Sequence, residues 1–333
     1  GVRDNLGFTV PGTERLLQEI LRDRGYLTAG IVSSVELRRE TGLARGFTFF
    51  DDRLPARTRA MTAWPSTRDG SASADVAEHW LDAAQTPRAF LLLHLADMRL
   101  TVPADQQQAP DGLAAADAAI GRLIRFLKSH QAYDQSTIVL VADTGSGLEA
   151  RTANGEALTV DDETFRTPLI IKRSAGEGAG RRIAAIVQHA DVTPTILDLA
   201  KAPIPSDVAG RSLKTLLDGV AERAPARVLY AESAVGYYRF GWSAVASVTD
   251  GRYRYTTGEA EPQLLAVPTG SASAPDSASG PAADPAQRLK PALDDITGPG
   301  LPPAPSIPLP DGPDRERLES LGNVTGLWRR ADV

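Results

Sequence analysis

The chain contains no cysteine, which excludes a disulfide framework and any thiolate metal site and leaves the redox compartment open. No apolar run approaches the roughly 18 residues of a membrane-spanning helix. Basic residues do not dominate: 36 Lys and Arg stand against 42 Asp and Glu, a net charge of −6. That balance gives no basis for nucleic-acid binding. Lysine is scarce, with Lys128, Lys172, Lys201, Lys214 and Lys290 the full set. What remains is a 333-residue chain, long enough for one large α/β domain with an appendage and a substantial core.

Residues 136–172 organise the sequence. Ile138, Val139, Leu140 and Val141 form an unbroken aliphatic run, as a strand buried on both faces requires. Asp143 follows where that strand ends, and Gly145 and Gly147 open a loop; in α/β sheets the carboxyl ends of strands are where ligands bind. Pro168, Leu169, Ile170 and Ile171 make a second buried run. Glu149, Glu156, Asp161, Asp162 and Glu163 lie between them, a loop composed to meet a metal or a polar substrate.

Around this stretch the chain alternates helix and strand signals. Residues 11–24 read as a helix capped at Thr13, with Leu16, Leu17, Ile20 and Leu21 at helical spacing and Gly25 as its stop. Tyr26 to Ser33 reads as a strand, the helix-to-strand step of a doubly wound fold. Glu36 to Glu40 is a short, charged, helical face. Phe47, Phe49 and Phe50 before Asp51 and Asp52 are expected to be packing followed by a turn. Ala72 to Ala84 reads as a helix, Ala89 to Leu95 as a buried strand, and Gly112 to Ser129 as a helix with Ala116, Ile120, Ile124 and Leu127 on one face. Thr193 with Pro194 marks a further helix start.

The histidines point mostly to structure. His94, inside a core strand, is expected to be packed and hydrogen-bonded, and His79 and His130 belong to helix surfaces. His189 and Asp191 are a metal pair by residue type but lack matching ligands elsewhere. Ala226 to Ser233, Trp242 to Thr249 and Arg252 to Thr257 read as a small antiparallel sheet, with Asp250-Gly251 as a hairpin turn. Tyr237, Tyr238, Phe240 and Trp242 form the densest aromatic cluster, expected to pack this unit on the core. Residues 266–313, rich in Pro, Ala, Ser and Gly, read as a linker, and Asp314 to Leu321 as a short helix after which Trp328 docks back.

Taken together, several segments resemble the sulfatases of the alkaline phosphatase superfamily, in particular bacterial sulfatase-like proteins. Those carry a strand ending SDHGE, a loop with a further HG pair, and DETLRVPLI before the next strand; this chain has ADTGS at 142–146 and DETFRTPLI at 162–170 at the usual spacing. GVRDNLGFTVP (1–11), RGYLTAGIVSS (24–34), GFTFFDD (46–52), HADVTPTILDLAKAPIP (189–205), GRSL (210–213), DGRYRY (250–255) and RERLESLG (315–322) follow in family order. The resemblance implies a doubly wound αβα sandwich of the alkaline phosphatase type, of which this chain is the later part. Its expected divisions are a core at 1–225, a small antiparallel β subdomain at 226–265, the linker at 266–313, and a C-terminal helix and tail at 314–333. It also implies a divalent cation, calcium or magnesium, and a periplasmic or extracytoplasmic setting.

The departures fall on the polar motif positions. In the family the Asp and the His or Asn of the DHG or DNG motif are metal ligands; Asp143 is kept, and its partner is Thr144, a weak and unionised ligand. A second family histidine, beside the scissile ester, aligns with Glu156, which is ionised at neutral pH and repels a sulfate. The histidine of the family's DPH segment aligns with Arg99 in HLADMRL, which attracts an anion but does no acid-base work, and Asp97 matches that segment's aspartate. Gly1 aligns within the family's domain, so its first strand with paired metal-binding acids, and its CxPSR or SxPSR nucleophile motif, are expected to lie before this sequence. Formylglycine from cysteine is not available here. AWPSTR at 63–68 echoes the motif in Pro65, Ser66 and Arg68, but Ala63 stands at the nucleophile position, and the segment is expected to be a polar loop. The resemblance therefore implies a sulfatase-family domain without confidently assigned catalytic residues, a pseudoenzyme or binding domain. The alternative is an active metal-dependent sulfatase or phosphodiesterase. Partners are not indicated.

Overall fold

The computed structural model describes residues 9–55, 67–98, 108–145, 160, 162–220, 227–240, 242–258, 261–267 and 284–298. Helix α1 (Leu17–Asp23) leads into strand β1 (Leu27–Ile31). Short 3-10 turns at Val35–Leu37 and Arg39–Thr41 precede strand β2 (Phe49–Asp51). Helix α2 (Gly70–Ala84), strand β3 (Ala89–Leu93) and the long helix α3 (Gln108–Ser129) follow. Strands β1, β2 and β3 form a parallel sheet in the order β2-β1-β3. In the central strand, Thr28, Ala29 and Ile31 are each 0% exposed. Neighbouring residues of a strand point to opposite faces, so both faces of β1 are covered. Ile20 and Leu21 of α1 form one core cluster with Leu197, while Ala74 and Ala77 of α2 are fully buried.

Strand β4 (Ile138–Val141), the short helix α4 (Asp162–Phe165) and strand β5 (Leu169–Lys172) come next. β4 and β5 pair antiparallel, from Ile138 opposite Lys172 to Val141 opposite Leu169. The expectation of strands buried on both faces is corrected here: Val141 is 39% and Ile170 57% exposed. Among the described residues these strands pair only with each other, and the described elements packed over this ribbon do not cover both of its faces. Lys172 anchors the start of β4 by donating to the carbonyls of Tyr133 and Ser136 while its ammonium sits 4.4 Å from the Tyr133 ring centroid.

A 3-10 turn at His189–Asp191 runs directly into helix α5 (Val192–Leu199), and helix α6 (Lys214–Leu217) follows. Strand β6 (Leu229–Ser233), helix α7 (Val235–Phe240), and strands β7 (Val245–Thr249), β8 (Tyr253–Thr257) and β9 (Gln263–Ala266) then give a four-stranded antiparallel sheet in sequence order. The Asp250-Gly251 turn forms as expected: Gly251 has φ 88°, and the Asp250 carboxylate accepts the amides of Arg252 and Tyr253 at 2.8 Å.

Other differences from the sequence reading have local causes. The first helix begins at Leu17 rather than near Thr13, because the Glu19 carboxylate accepts the Leu16 amide at 2.8 Å and closes the helix start there. Asp191, not Thr193, stands at the N-cap of α5, since the preceding turn continues into the helix. His94 lies one residue past β3. Within the stretch assigned to a linker, helix α8 (Pro285–Thr297) forms, with Asp284 capping the Ala286 amide at 3.0 Å. Leu289 and Leu293 are 0% and 1% exposed and pack with Val248 and Tyr255 on the antiparallel sheet. Composition averaged over the whole stretch hid this short apolar stripe at helical spacing. The Asp314 to Leu321 helix and Trp328 lie outside the described residues.

Candidate functional site

The candidate site is built on the turn after β4. Three neighbours hold it. The Ala142 amide donates to the Pro168 carbonyl at 3.3 Å, and the Gly145 amide donates to the Thr164 carbonyl at 2.7 Å. His189 Nε2 lies 2.7 Å from the Ala142 carbonyl oxygen and 3.5 Å from Thr167 Oγ1. A carbonyl only accepts, so Nε2 carries the proton in this contact. Asp143 and Thr144 are exposed. Asp143 Oδ1 accepts the Thr144 amide at 2.8 Å, which turns the carboxylate back on its own loop.

His189 is itself fixed from beneath. Asp191, 0% exposed, accepts the amides of Gln188 and Arg211 at 3.0 Å and two hydrogen bonds from the Arg227 guanidinium at 2.6 and 2.7 Å. Burial pushes its carboxyl pKa up, but Arg227 and the two amides outweigh burial and hold it below the ordinary value. The pair His189 and Asp191 is therefore not a shared metal site: Asp191 is spent on holding the chain. Gly210 closes the same structure, since a Cβ there would lie 1.8 Å from the Ala190 carbonyl oxygen.

A second polar cluster lies at the carboxyl ends of the parallel strands. Asp51, 3% exposed, pairs with Arg68, 7% exposed, and with Arg53. Arg68 also donates to Ser73 Oγ at 2.9 Å, the Val32 carbonyl at 3.0 Å and the Arg53 carbonyl at 3.2 Å. Burial acts to raise the Asp51 pKa, and the hydrogen bonds from Arg68 and Arg53 bring it below the ordinary value instead. Ser33 Oγ lies 2.7 Å from Ser73 Oγ and donates to the His94 carbonyl at 2.6 Å, while the Ser33 amide donates to His94 Nδ1 at 3.3 Å. Asp52 takes the amide and guanidinium of Arg39. His94 is thus packed and hydrogen-bonded, as expected.

Arg68 lies in irregular chain, as the reading of 63–68 as a polar loop expects, but it is buried. This residue is a buried pillar joining β1, β2 and α2, while Pro65 and Ser66 lie outside the described residues. The sequence carried one signal for it, the Asp51-Asp52 pair at the end of a buried strand, which requires cationic partners. Arg227 was missed altogether, and nothing near it in the sequence points to Asp191.

Among the sequence-derived site residues, Asp143 and Thr144 sit together after β4, while Asp97 sits after β3. Asp97 Oδ1 accepts the Gly70 amide at 2.9 Å and so caps α2; its Oδ2 is buried without a hydrogen-bond partner among the described residues. Arg99 and Glu156 lie outside the described residues. Among the described residues no three His, Asp or Glu side chains are grouped to hold a metal ion. The described donors offer a cation one carboxylate and one hydroxyl, which does not amount to the six or more oxygens of a calcium or magnesium site.

The fold and these segments agree with comparisons to known proteins. The sulfatase family model matches residues 3–202, and an N-sulphoglucosamine sulphohydrolase C-terminal model matches residues 158–253. The chain belongs to the sulfatase family. The N-acetylglucosamine-6-O-sulfatase of Bacteroides thetaiotaomicron is 37% identical over 121 residues, 34% of this chain and 21% of that protein. Human steryl-sulfatase is 25% identical over 134 residues, 36% of this chain and 23% of that protein. The matches thus span only about a fifth of the length of these curated relatives. A phosphonate monoester hydrolase from Silicibacter pomeroyi shares the fold with a TM-score of 0.57 at 18% identity, over 87% of this chain and 80% of that one. The fold is accordingly the alkaline phosphatase-like α/β fold of sulfatases, with an antiparallel sheet at its C-terminal side. Sulfatases as a family use a divalent metal. No described helix is long and apolar enough to cross a membrane.

Proposed function

We propose that this chain is a sulfatase-family domain whose hydrolytic chemistry has degenerated, a pseudoenzyme that keeps the fold as a binding or structural module. One observation carries the reading: Asp143, the retained acid of the family's metal motif, is followed by Thr144. Thr144 contributes its backbone amide to Asp143 Oδ1 where the family has a side-chain ligand. A neutral hydroxyl in place of imidazole or carboxamide weakens a cation site. Glu156 in place of an imidazole acid, and Arg99 in place of another histidine, support the same reading, because neither substitute moves a proton near neutral pH. Descent from sulfuric ester hydrolases makes a sulfate or phosphate ester the ligand class to test, and an extracytoplasmic setting the one to examine. We place the structural core in residues 1–225 and the antiparallel unit from 226 onward.

The test is hydrolysis of an aryl sulfate and an aryl phosphate by the full chain with calcium or magnesium, beside Asp143→Ala. The reading expects no turnover above the variant. Metal-dependent turnover that disappears in Asp143→Ala would establish an active sulfatase or phosphodiesterase instead.

A further inference from the structure

We infer that His189 is a positioning residue for the Asp143 turn, and that the Arg227–Asp191 ion pair holds His189 in place. The functional meaning of this arrangement rests on the reading of Asp143 as the retained site acid, but its geometry does not.

His189 is exposed, yet its Nε2 makes a 2.7 Å contact across 47 residues of sequence to the Ala142 carbonyl. That carbonyl belongs to the peptide leading directly into Asp143, so the contact fixes the plane from which the carboxylate projects. The other two anchors of the turn, Ala142 to Pro168 and Gly145 to Thr164, come from the segment around β5. His189 is the one described side chain from a third segment. Its own placement is over-determined: Asp191, two residues on, is fully buried and takes four hydrogen bonds, two of them from Arg227. Gly210 lies hard against Ala190, where any larger residue displaces backbone. Arg227 lies two residues before the start of β6. The antiparallel sheet and the turn after β4 are therefore linked through Arg227, Asp191, His189 and Ala142. An exposed imidazole held this firmly is poorly explained as surface decoration, since exposed side chains ordinarily gain little from one fixed rotamer.

Amide hydrogen exchange at Thr144 and Gly145 tests the assignment in the full chain and in His189→Ala, His189→Gln and Arg227→Lys. A glutamine carboxamide nitrogen reaches the position of Nε2 and donates to the same carbonyl. Loss of one hydrogen bond is worth roughly a fivefold change in local opening, so His189→Ala is expected to speed exchange at both amides about fivefold. His189→Gln is expected to restore most of the protection, and Arg227→Lys to lose an intermediate amount. Unchanged exchange in His189→Ala, or equal loss in the Ala and Gln variants, would overturn the positioning role; wild-type exchange in Arg227→Lys would overturn the link to Arg227. Calcium and magnesium titration of the same proteins separates the two readings. Cation binding that weakens in His189→Ala and recovers in His189→Gln supports both. Changed exchange with no cation binding in the wild type retains the positioning role and removes Asp143 as a metal ligand.

Discussion

At the carboxyl end of β2, Asp51 is 3% exposed and held by Arg68 and Arg53. At the carboxyl end of β4, Asp143 is exposed, and among the described residues it accepts only its neighbour's amide. Asp51 ends an apolar strand and Asp143 follows one, and both match segments of the sulfatase pattern. They differ in what burial demands. A buried carboxylate must be paired or it costs several kcal/mol, so Asp51 is committed to the scaffold along with Arg68, Ser73 and the Val32 carbonyl. An exposed carboxylate is solvated by water and is left available to a ligand. The scaffold acids are fixed by folding, whereas among the described residues the acid after β4 is tied only to its own loop. On the proposed reading, that contrast lets substitution fall at Thr144 while the segment around Asp51 is held by folding.

The contrast is broken most directly at a buried ion pair. Removing Arg227 strands the fully buried Asp191 carboxylate, so Arg227→Ala is expected to lower unfolding free energy by about 4 kcal/mol, read from urea denaturation midpoints. The packing of α8 on the antiparallel sheet gives the next effect. Leu289→Ala deletes a side chain that is 0% exposed and is expected to cost about 3 kcal/mol in the same measurement. Retention of wild-type stability would mean that α8 does not dock.

Acid sharpens the comparison further. Asp51, Asp191 and Asp250 all have carboxyl pKa values held below the ordinary range: burial opposes ionisation in each, and cationic or amide partners outweigh it. Their contribution to stability is complete above the unfolded-state value of about 4 and is lost as pH falls through the lower folded-state values. Urea midpoints are expected to hold steady from neutral pH to about 5 and then fall below about 4. In Arg227→Ala the share due to Asp191 should be missing from that fall. The smallest expected effect is at Asp143. Asp143→Ala, at an exposed position, is expected to change stability by no more than about 0.5 kcal/mol, and a larger loss would show that this acid also belongs to the scaffold.

Much of the architecture was legible in the sequence because it is written locally. The aliphatic runs of β3, β4 and β5, the apolar stripe of α3 and the Asp250-Gly251 hairpin each carry their signal within a few residues. The exposure of β4 and β5 was not legible, because it depends on what packs over their faces rather than on their own residues. Helix α8 was hidden by the Pro, Ala and Ser content around it, although Leu289 and Leu293 keep helical spacing. At the candidate site, Asp143 and Thr144 are named through their motif. The partners that matter to their geometry were not: His189 reaches Ala142 from 47 residues away, and Arg227 reaches Asp191 from 36. Pairings at such distances leave no periodicity to read, and an arginine destined for burial looks like any other surface arginine until its acid is known.

The central claim is that the acid after β4 survives in a domain that no longer hydrolyses esters. Its most direct test is the rate of aryl sulfate hydrolysis by the full chain at saturating calcium or magnesium, measured against Asp143→Ala. Equal rates in the two proteins are predicted. A cation-dependent rate present in the full chain and absent from Asp143→Ala would contradict the account.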